Sequence, residues 1–283
     1  MTSQLTAADH RRDSAGLTYI YPVLSRRAGG LSIGVNLNTN NACNWQCIYC
    51  QVPNLTIGAA PEPDFALLEA ELRGFLEQVQ SGDFYRRFQV PEAQRMIKDI
   101  AISGNGEPTS APRFVEVVEL IGNIATARGV FPGSRFVLIT NGSLVHQPKV
   151  REGLKMLNQF GGEVWFKLDS ATDTGRRLIN NAGQSIEASL NNLILAANYC
   201  RTKVQICLVD IDRQGFIEQE RRALLDALMT AKQKNRVSEI LLYTIARPSL
   251  QPEAGRLGKM PETVMQSFAD ELRLSGFDVS ISL

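Results

Sequence analysis

Histidine is almost missing from this chain: His10 and His146 are the only two in 283 residues. That scarcity argues against histidine-built metal sites and a histidine-centred catalytic triad, so an enzyme here would draw its chemistry mainly from a cofactor. An excess of charge is also lacking. Lys and Arg number 30 against 29 Asp and Glu, a net charge of +1, which gives no global pull toward nucleic acid or membrane. No apolar run reaches about 18 residues, so no membrane span is expected. The polar start, Met1 to Asp13, has no apolar core of a signal peptide. Cysteine is sparse, with five in all and three of them clustered, which argues against a disulfide framework and for a reducing interior. Cytoplasm is the expected compartment.

What is present begins with the clustered thiols. Cys43-Asn44-Trp45-Gln46-Cys47-Ile48-Tyr49-Cys50 places three cysteines in eight residues. Thiolates are soft ligands, suited to zinc, copper or iron–sulfur centres, and three this close can close on one centre at little loop-closure cost. A structural zinc site or an electron-carrying cubane normally takes four protein ligands, so three leave one position open. The same i, i+4, i+7 spacing would also place small hydrophobes on one helix face. Against that, Asn38-Thr39-Asn40-Asn41 before the triplet and Pro53-Asn54 after it are turn formers, which puts it in a loop.

The C-x3-C-x2-C pattern, with Tyr49 just before the last cysteine, resembles the signature of the radical S-adenosylmethionine (SAM) superfamily. The lead-in Pro22-Val23-Leu24-Ser25-Arg26-Arg27 and Ser32-Ile33-Gly34-Val35-Asn36-Leu37 is similar to a subgroup of iron–sulfur oxidoreductases akin to the wyosine-forming tRNA enzymes. The resemblance implies a [4Fe–4S] cluster on Cys43, Cys47 and Cys50, whose open iron chelates SAM. It implies reductive cleavage of SAM to methionine and a 5′-deoxyadenosyl radical that abstracts hydrogen from a substrate. It also implies an external electron donor such as flavodoxin or ferredoxin.

The rest of the chain alternates. Strand-like runs are expected at Leu31 to Leu37, Asp99 to Ser103, Arg135 to Thr140, Glu163 to Leu168, Lys203 to Val209 and Glu239 to Ile245. Helical spacing follows each, on Phe65 to Val79, Phe114 to Ile121 with Ser110 as cap, Val150 to Leu157, Ile186 to Ala197, Ile217 to Leu228, and Val264 to Leu272. Ser81 to Arg95 reads as a connection, and Phe277 to Ile281 as a possible seventh strand. Six strand–helix units mean a parallel sheet with right-handed crossovers. They are too few for an eightfold barrel, and a partial (βα)6 TIM-like barrel is what the resemblance implies. Residues 1–16 are expected to be disordered and 17–283 to form a single domain.

In such barrels chemistry collects at the C-terminal ends of the strands. Gly104-Asn105-Gly106-Glu107-Pro108 ends one strand and is similar to the family's Gly-Gly-Glu-like turn, with an extra residue between the glycines. The resemblance assigns Glu107 to the SAM amino group, and Gly104 and Gly106 to close backbone approach. Thr140-Asn141-Gly142 resembles a turn common in this superfamily near the substrate or SAM, through Asn141, and is equally readable as a plain turn. Lys167-Leu168-Asp169-Ser170 ends the next strand, where the resemblance implies SAM contacts through Asp169 and Ser170; a surface ion pair is the even alternative. Arg26-Arg27 and the loop from Arg247 to Lys259 read either as a grip on an anionic substrate or as solvated surface.

Cys200 and Cys207 have no partner at ligand-like spacing and read as buried, inert thiols. No cysteine precedes Cys43, so the second cluster of the archaeal wyosine-forming enzymes is not expected. The extra cysteine pair of the ribosomal RNA methylating relatives has no matching motif either. Neutral charge, no basic tail and no appended RNA-binding motif favour a small-molecule or short-peptide substrate over RNA. A tRNA- or nucleoside-modifying enzyme, a glycyl-radical activase and a structural or electron-transfer metal protein are the alternatives.

Overall fold

Valine, isoleucine and leucine crowd the expected strands because a parallel sheet is buried on both faces. The computed structural model describes residues 15–25, 29–235 and 237–283. The start through residue 14, and Arg26 and Arg27, lie outside them. The first half of the chain holds β1 (Ile20–Ser25), β2 (Gly30–Val35), short β3 (Ala42–Cys43) and β4 (Thr56–Ile57), α1 (Phe65–Gln80), α2 (Asp83–Arg87), β5 (Ile97–Ile102), α3 (Phe114–Ala127) and β6 (Arg135–Thr140). The second half holds α4 (Pro148–Gln159), β7 (Glu163–Lys167), α5 (Asp173–Asn180), α6 (Ile186–Tyr199), β8 (Arg201–Ile211), α7 (Glu218–Asn235), β9 (Glu239–Thr244), β10 (Leu257–Lys259), α8 (Glu262–Leu274) and β11 (Asp278–Ser282).

The sheet runs β1-β2-β5-β6-β7-β8-β9-β11, and every neighbouring pair from β2 to β11 is parallel. The possible seventh strand is therefore real: β11 lies along β9 with Asp278 opposite Glu239 and Ser282 opposite Tyr243. Helices pack over the outside of a curled sheet, which makes the fold a partial TIM-like barrel of the expected class. In α1, Leu68, Leu72, Phe75, Leu76 and Val79 make the buried face, each such side chain adding about 1.5–3 kcal/mol by leaving water. Asp64 starts that helix by accepting the N–H of Leu67 at 3.0 Å. No helix among the described residues is long and apolar enough to cross a membrane.

Two local readings need correction, and two elements were not read from the sequence. β1 is a strand, paired antiparallel to β2 at the sheet edge, where Pro22 is tolerated. Its entry is held by Glu71 of α1, whose carboxylate accepts the N–H groups of Thr18 and Tyr19, both at 2.8 Å. The Ser81 to Arg95 connection holds α2 and a 3-10 turn at Glu92–Gln94. Ser110 does not cap α3: the residue before that helix is Arg113 in a left-handed conformation, because Pro112 keeps Ala111 extended and delays the start. Finally, α5 (Asp173–Asn180) is a helix that the sequence analysis does not include.

Candidate active site

The asparagines ahead of the cysteines build the loop by closing on its own backbone. Asn38 Nδ2 donates to the carbonyl of Ala42 at 2.8 Å, Asn40 Oδ1 accepts the Ala42 N–H at 3.2 Å, and Asn41 turns with φ 55°. Cys43 then pairs with Ile57 across β3 and β4. From there three other loops, each at the C-terminal end of a strand, grip the cysteine loop. After β6, Asn141 Nδ2 donates to Asn44 Oδ1, and Asn44 Nδ2 to Ser143 Oγ, both at 2.8 Å. After β7, the last carbonyls of α5 accept Gln46 N–H at 3.1 Å and Ile48 N–H at 2.9 Å. After β9, Ser249 Oγ donates to the Ile48 carbonyl at 2.6 Å, and Leu250 N–H to that of Cys50 at 3.0 Å. Trp45 and Ile48 are buried beneath. The loop sits on the catalytic face expected of a parallel barrel.

Cys43, Cys47 and Cys50 are free and half-buried, whereas Cys200 and Cys207 are free and buried. Burial pushes the Cys43 thiol up to about 12, partly offset by the Trp45 N–H, and pushes Cys47 up to about 11 against the pull of Lys167. Such thiols ionise when a cation takes the charge. Among the described residues no three His, Cys, Asp or Glu side chains converge closely enough to hold a single ion. A donor set of three soft thiols without a fourth ligand fits an iron–sulfur cluster with one open iron and does not fit a closed zinc site.

Glu107 lies under this loop, 2% exposed. Its Oε1 accepts Thr109 N–H at 3.1 Å and the hydroxyls of Thr109 and Thr140, each at 2.6 Å; among the described residues its Oε2 accepts only Asn141 N–H, at 2.7 Å. Oε2 therefore keeps acceptor capacity for a ligand. Desolvation raises the carboxyl pKa, and the four donors oppose it. The two glycines turn out to serve protein packing. A Cβ on Gly106 would stand 2.0 Å from the Ala42 carbonyl, and one on Gly104 2.3 Å from Asn36 Oδ1, so both let the turn abut the strand and loop that lead to Cys43.

Asp169 is likewise committed to protein partners. Its Oδ1 accepts Cys207 N–H at 2.8 Å; its Oδ2 accepts the Tyr49 hydroxyl and Asn180 Nδ2, the latter at 2.8 Å. Burial and then Asp169 push the Tyr49 phenol up, so it remains a donor. Lys167 stands 4.8 Å from the Tyr49 ring centre and 3.4 Å from the Tyr243 hydroxyl. Ser170 is not brought to this group: its buried hydroxyl donates to Glu220 Oε2 at 2.7 Å, so it holds α7 rather than a ligand. The sequence reading passed over Lys167, Asn44 and Asn180, which the fold places against the cysteine loop.

A family model described as the radical SAM superfamily matches residues 37–218. Two relatives from different strains of Helicobacter pylori, each named UPF0026 protein, are 30% identical over 135 residues, covering 47% of this chain and 38% of theirs. The match thus spans well under half of those relatives. Among solved structures, a radical SAM methyltransferase from Sphaerobacter thermophilus has a TM-score of 0.56 at 14% identity, covering 89% of this chain and 66% of that one. A native anSMEcpe structure with bound AdoMet and a peptide has 0.56 at 16% identity, covering 88% and 62%. A spore photoproduct lyase with a dinucleoside spore photoproduct has 0.56 at 12%, covering 85% and 74%. At such identities these structures share the fold.

Proposed function

This chain belongs to the radical SAM superfamily, and from that premise we propose that Cys43, Cys47 and Cys50 hold one [4Fe–4S] cluster whose open iron takes SAM. Held by these three thiolates, the cluster would supply one-electron reduction of SAM, giving methionine and a 5′-deoxyadenosyl radical that would take hydrogen from the substrate. The observation that carries the reading is the loop itself: three free thiols, gripped by the loops after β6, β7 and β9 at one end of a partial barrel.

The chain's own residues divide the remaining work. Glu107 offers Oε2 to the ammonium of SAM, a charge-assisted bond in a buried setting. Asn141 fixes that carboxylate through its N–H and the cysteine loop through its side chain. Tyr49 and Lys167 wall the far side of Cys47, with Asp169 holding the Tyr49 hydroxyl. The substrate is read as a small molecule or short peptide, on the net charge of +1, and the reductant as a flavodoxin- or ferredoxin-type donor. The test is the electron paramagnetic resonance spectrum of the reduced, anaerobically reconstituted protein. SAM at the open iron changes that spectrum; a spectrum indifferent to SAM overturns the reading.

A further inference from the structure

Helix α5 is short and polar, yet both of its ends are fixed. Thr172 Oγ1 accepts the Gly175 N–H at 2.9 Å at its start, and Asn181 turns left-handed, φ 49°, at its end. Its last two carbonyls, of Ile179 and Asn180, hold the N–H groups of Ile48 and Gln46, which flank Cys47. The Asn180 side chain is wholly buried, and its Nδ2 lies 3.3 Å from Cys47 Sγ and 2.8 Å from Asp169 Oδ2.

The chemistry of the neighbours decides which way that amide faces. Asp169 acts as an acceptor toward Tyr49 and Cys207 as well. Turned over, Asn180 would set its carbonyl oxygen against a carboxylate and a thiolate at once. Both amide N–H bonds are therefore committed, one to Asp169 and one to Cys47. On the other side, among the described residues Asn180 Oδ1 is buried without a hydrogen-bond partner, as are both terminal nitrogens of Arg176 one turn earlier.

We propose that Asn180 is a positioning residue that sets the reduction potential of the cluster through its hydrogen bond to Cys47, with Asp169 fixing the direction of the amide. This rests on the functional reading above. A hydrogen bond to a ligand sulfur draws charge from it and favours the reduced, more negative cluster. The step affected is the uptake of one electron by the cluster as the external donor loses one.

The test is a potentiometric titration of the reconstituted full chain, followed by electron paramagnetic resonance, for wild type, Asn180→Leu and Asn180→Ser. Both variants are expected to hold wild-type iron. At a fixed potential their reduced-to-oxidised ratio falls about tenfold, a downward shift of about 59 mV for a one-electron couple. After exchange into deuterium oxide, the wild-type reduced cluster shows a deuteron coupling that Asn180→Leu lacks. If Asn180→Leu does not fold, Asn180→Ser is read in its place. Iron-loaded variants with the wild-type potential and the same coupling overturn this inference alone. A wild-type chain that takes up no iron overturns the functional reading and this inference with it.

Discussion

Glu107 Oε2 accepts the main-chain N–H of Asn141 at 2.7 Å, which ties the loop after β5 to the loop after β6 directly beneath the cysteine loop. Glu107→Ala leaves that N–H, the Thr109 N–H and the Thr140 hydroxyl without an acceptor, and is expected to cost about 3 kcal/mol in urea unfolding. Losing the SAM contact as well should weaken SAM binding about 10- to 150-fold with cluster iron retained. The pH sign follows from burial. The folded pKa lies above the ordinary 4.5, so the folded chain keeps a proton the unfolded chain has released. Stability therefore declines as pH rises from 4.5 through the folded value, and Glu107→Gln should flatten that stretch of the curve.

Iron counts separate the cysteines. Anaerobic reconstitution should give about 4 irons per chain, and Cys47→Ala should lose the cluster absorbance. Cys200→Ala and Cys207→Ala should keep it. Cys200 lies in the core with its thiol on the Gly162 carbonyl at 3.3 Å, and Cys207 meets Asp169 through its main chain. About 8 irons, or iron lost with Cys200→Ala, would mean a different centre.

At the opposite end of the barrel, Glu163 and Lys203 sit near the starts of β7 and β8 with Nζ and Oε2 3.0 Å apart, and Glu239 closes on the same Nζ at 3.2 Å. Glu163→Ala strips a nearly buried ammonium of one partner, and should cost about 3 kcal/mol in chemical denaturation. SAM cleavage per folded molecule should not change, since this end of a parallel barrel serves stability. A loss of SAM cleavage beyond the loss of folded protein would contradict that division.

RNA should not be the substrate. Of the arginines able to form a basic patch, Arg86 is paired with Asp83, and the net charge of the whole chain is only +1. Mixed cellular tRNA, titrated at two salt concentrations, is expected to show no micromolar binding near physiological salt. Tight binding that fades steeply with salt would reverse the assignment.

The six strand–helix units and the cysteine loop were legible because apolar period and ligand spacing write them locally. β6 matches its expected span from Arg135 to Thr140. α5 escapes such a reading: in Asp173-Thr174-Gly175-Arg176-Arg177-Leu178-Ile179-Asn180 only Leu178 and Ile179 are large and apolar, and Leu178 is exposed. The signals it does carry are the Thr172 cap and the Asn180-Asn181 stop. Ser170 shows the converse case. Its place after β7 suggests a ligand contact, but its partner, Glu220, is 50 residues away and no local pattern announces it. Glu107 and Asp169 were singled out by position at strand ends and by resemblance, while the sharing of their oxygens among distant loops belongs to tertiary structure alone.

The central claim is that this chain cleaves SAM reductively at a cluster held by the three-cysteine loop. The direct measurement is 5′-deoxyadenosine, quantified by chromatography after anaerobic incubation of the reconstituted chain with SAM and a low-potential reductant. Wild type should form 5′-deoxyadenosine and methionine, and Cys43→Ala, Cys47→Ala and Cys50→Ala should form neither. A cluster-loaded, reduced wild-type chain that leaves SAM intact, or 5′-deoxyadenosine formed undiminished by the cysteine variants, would contradict the account.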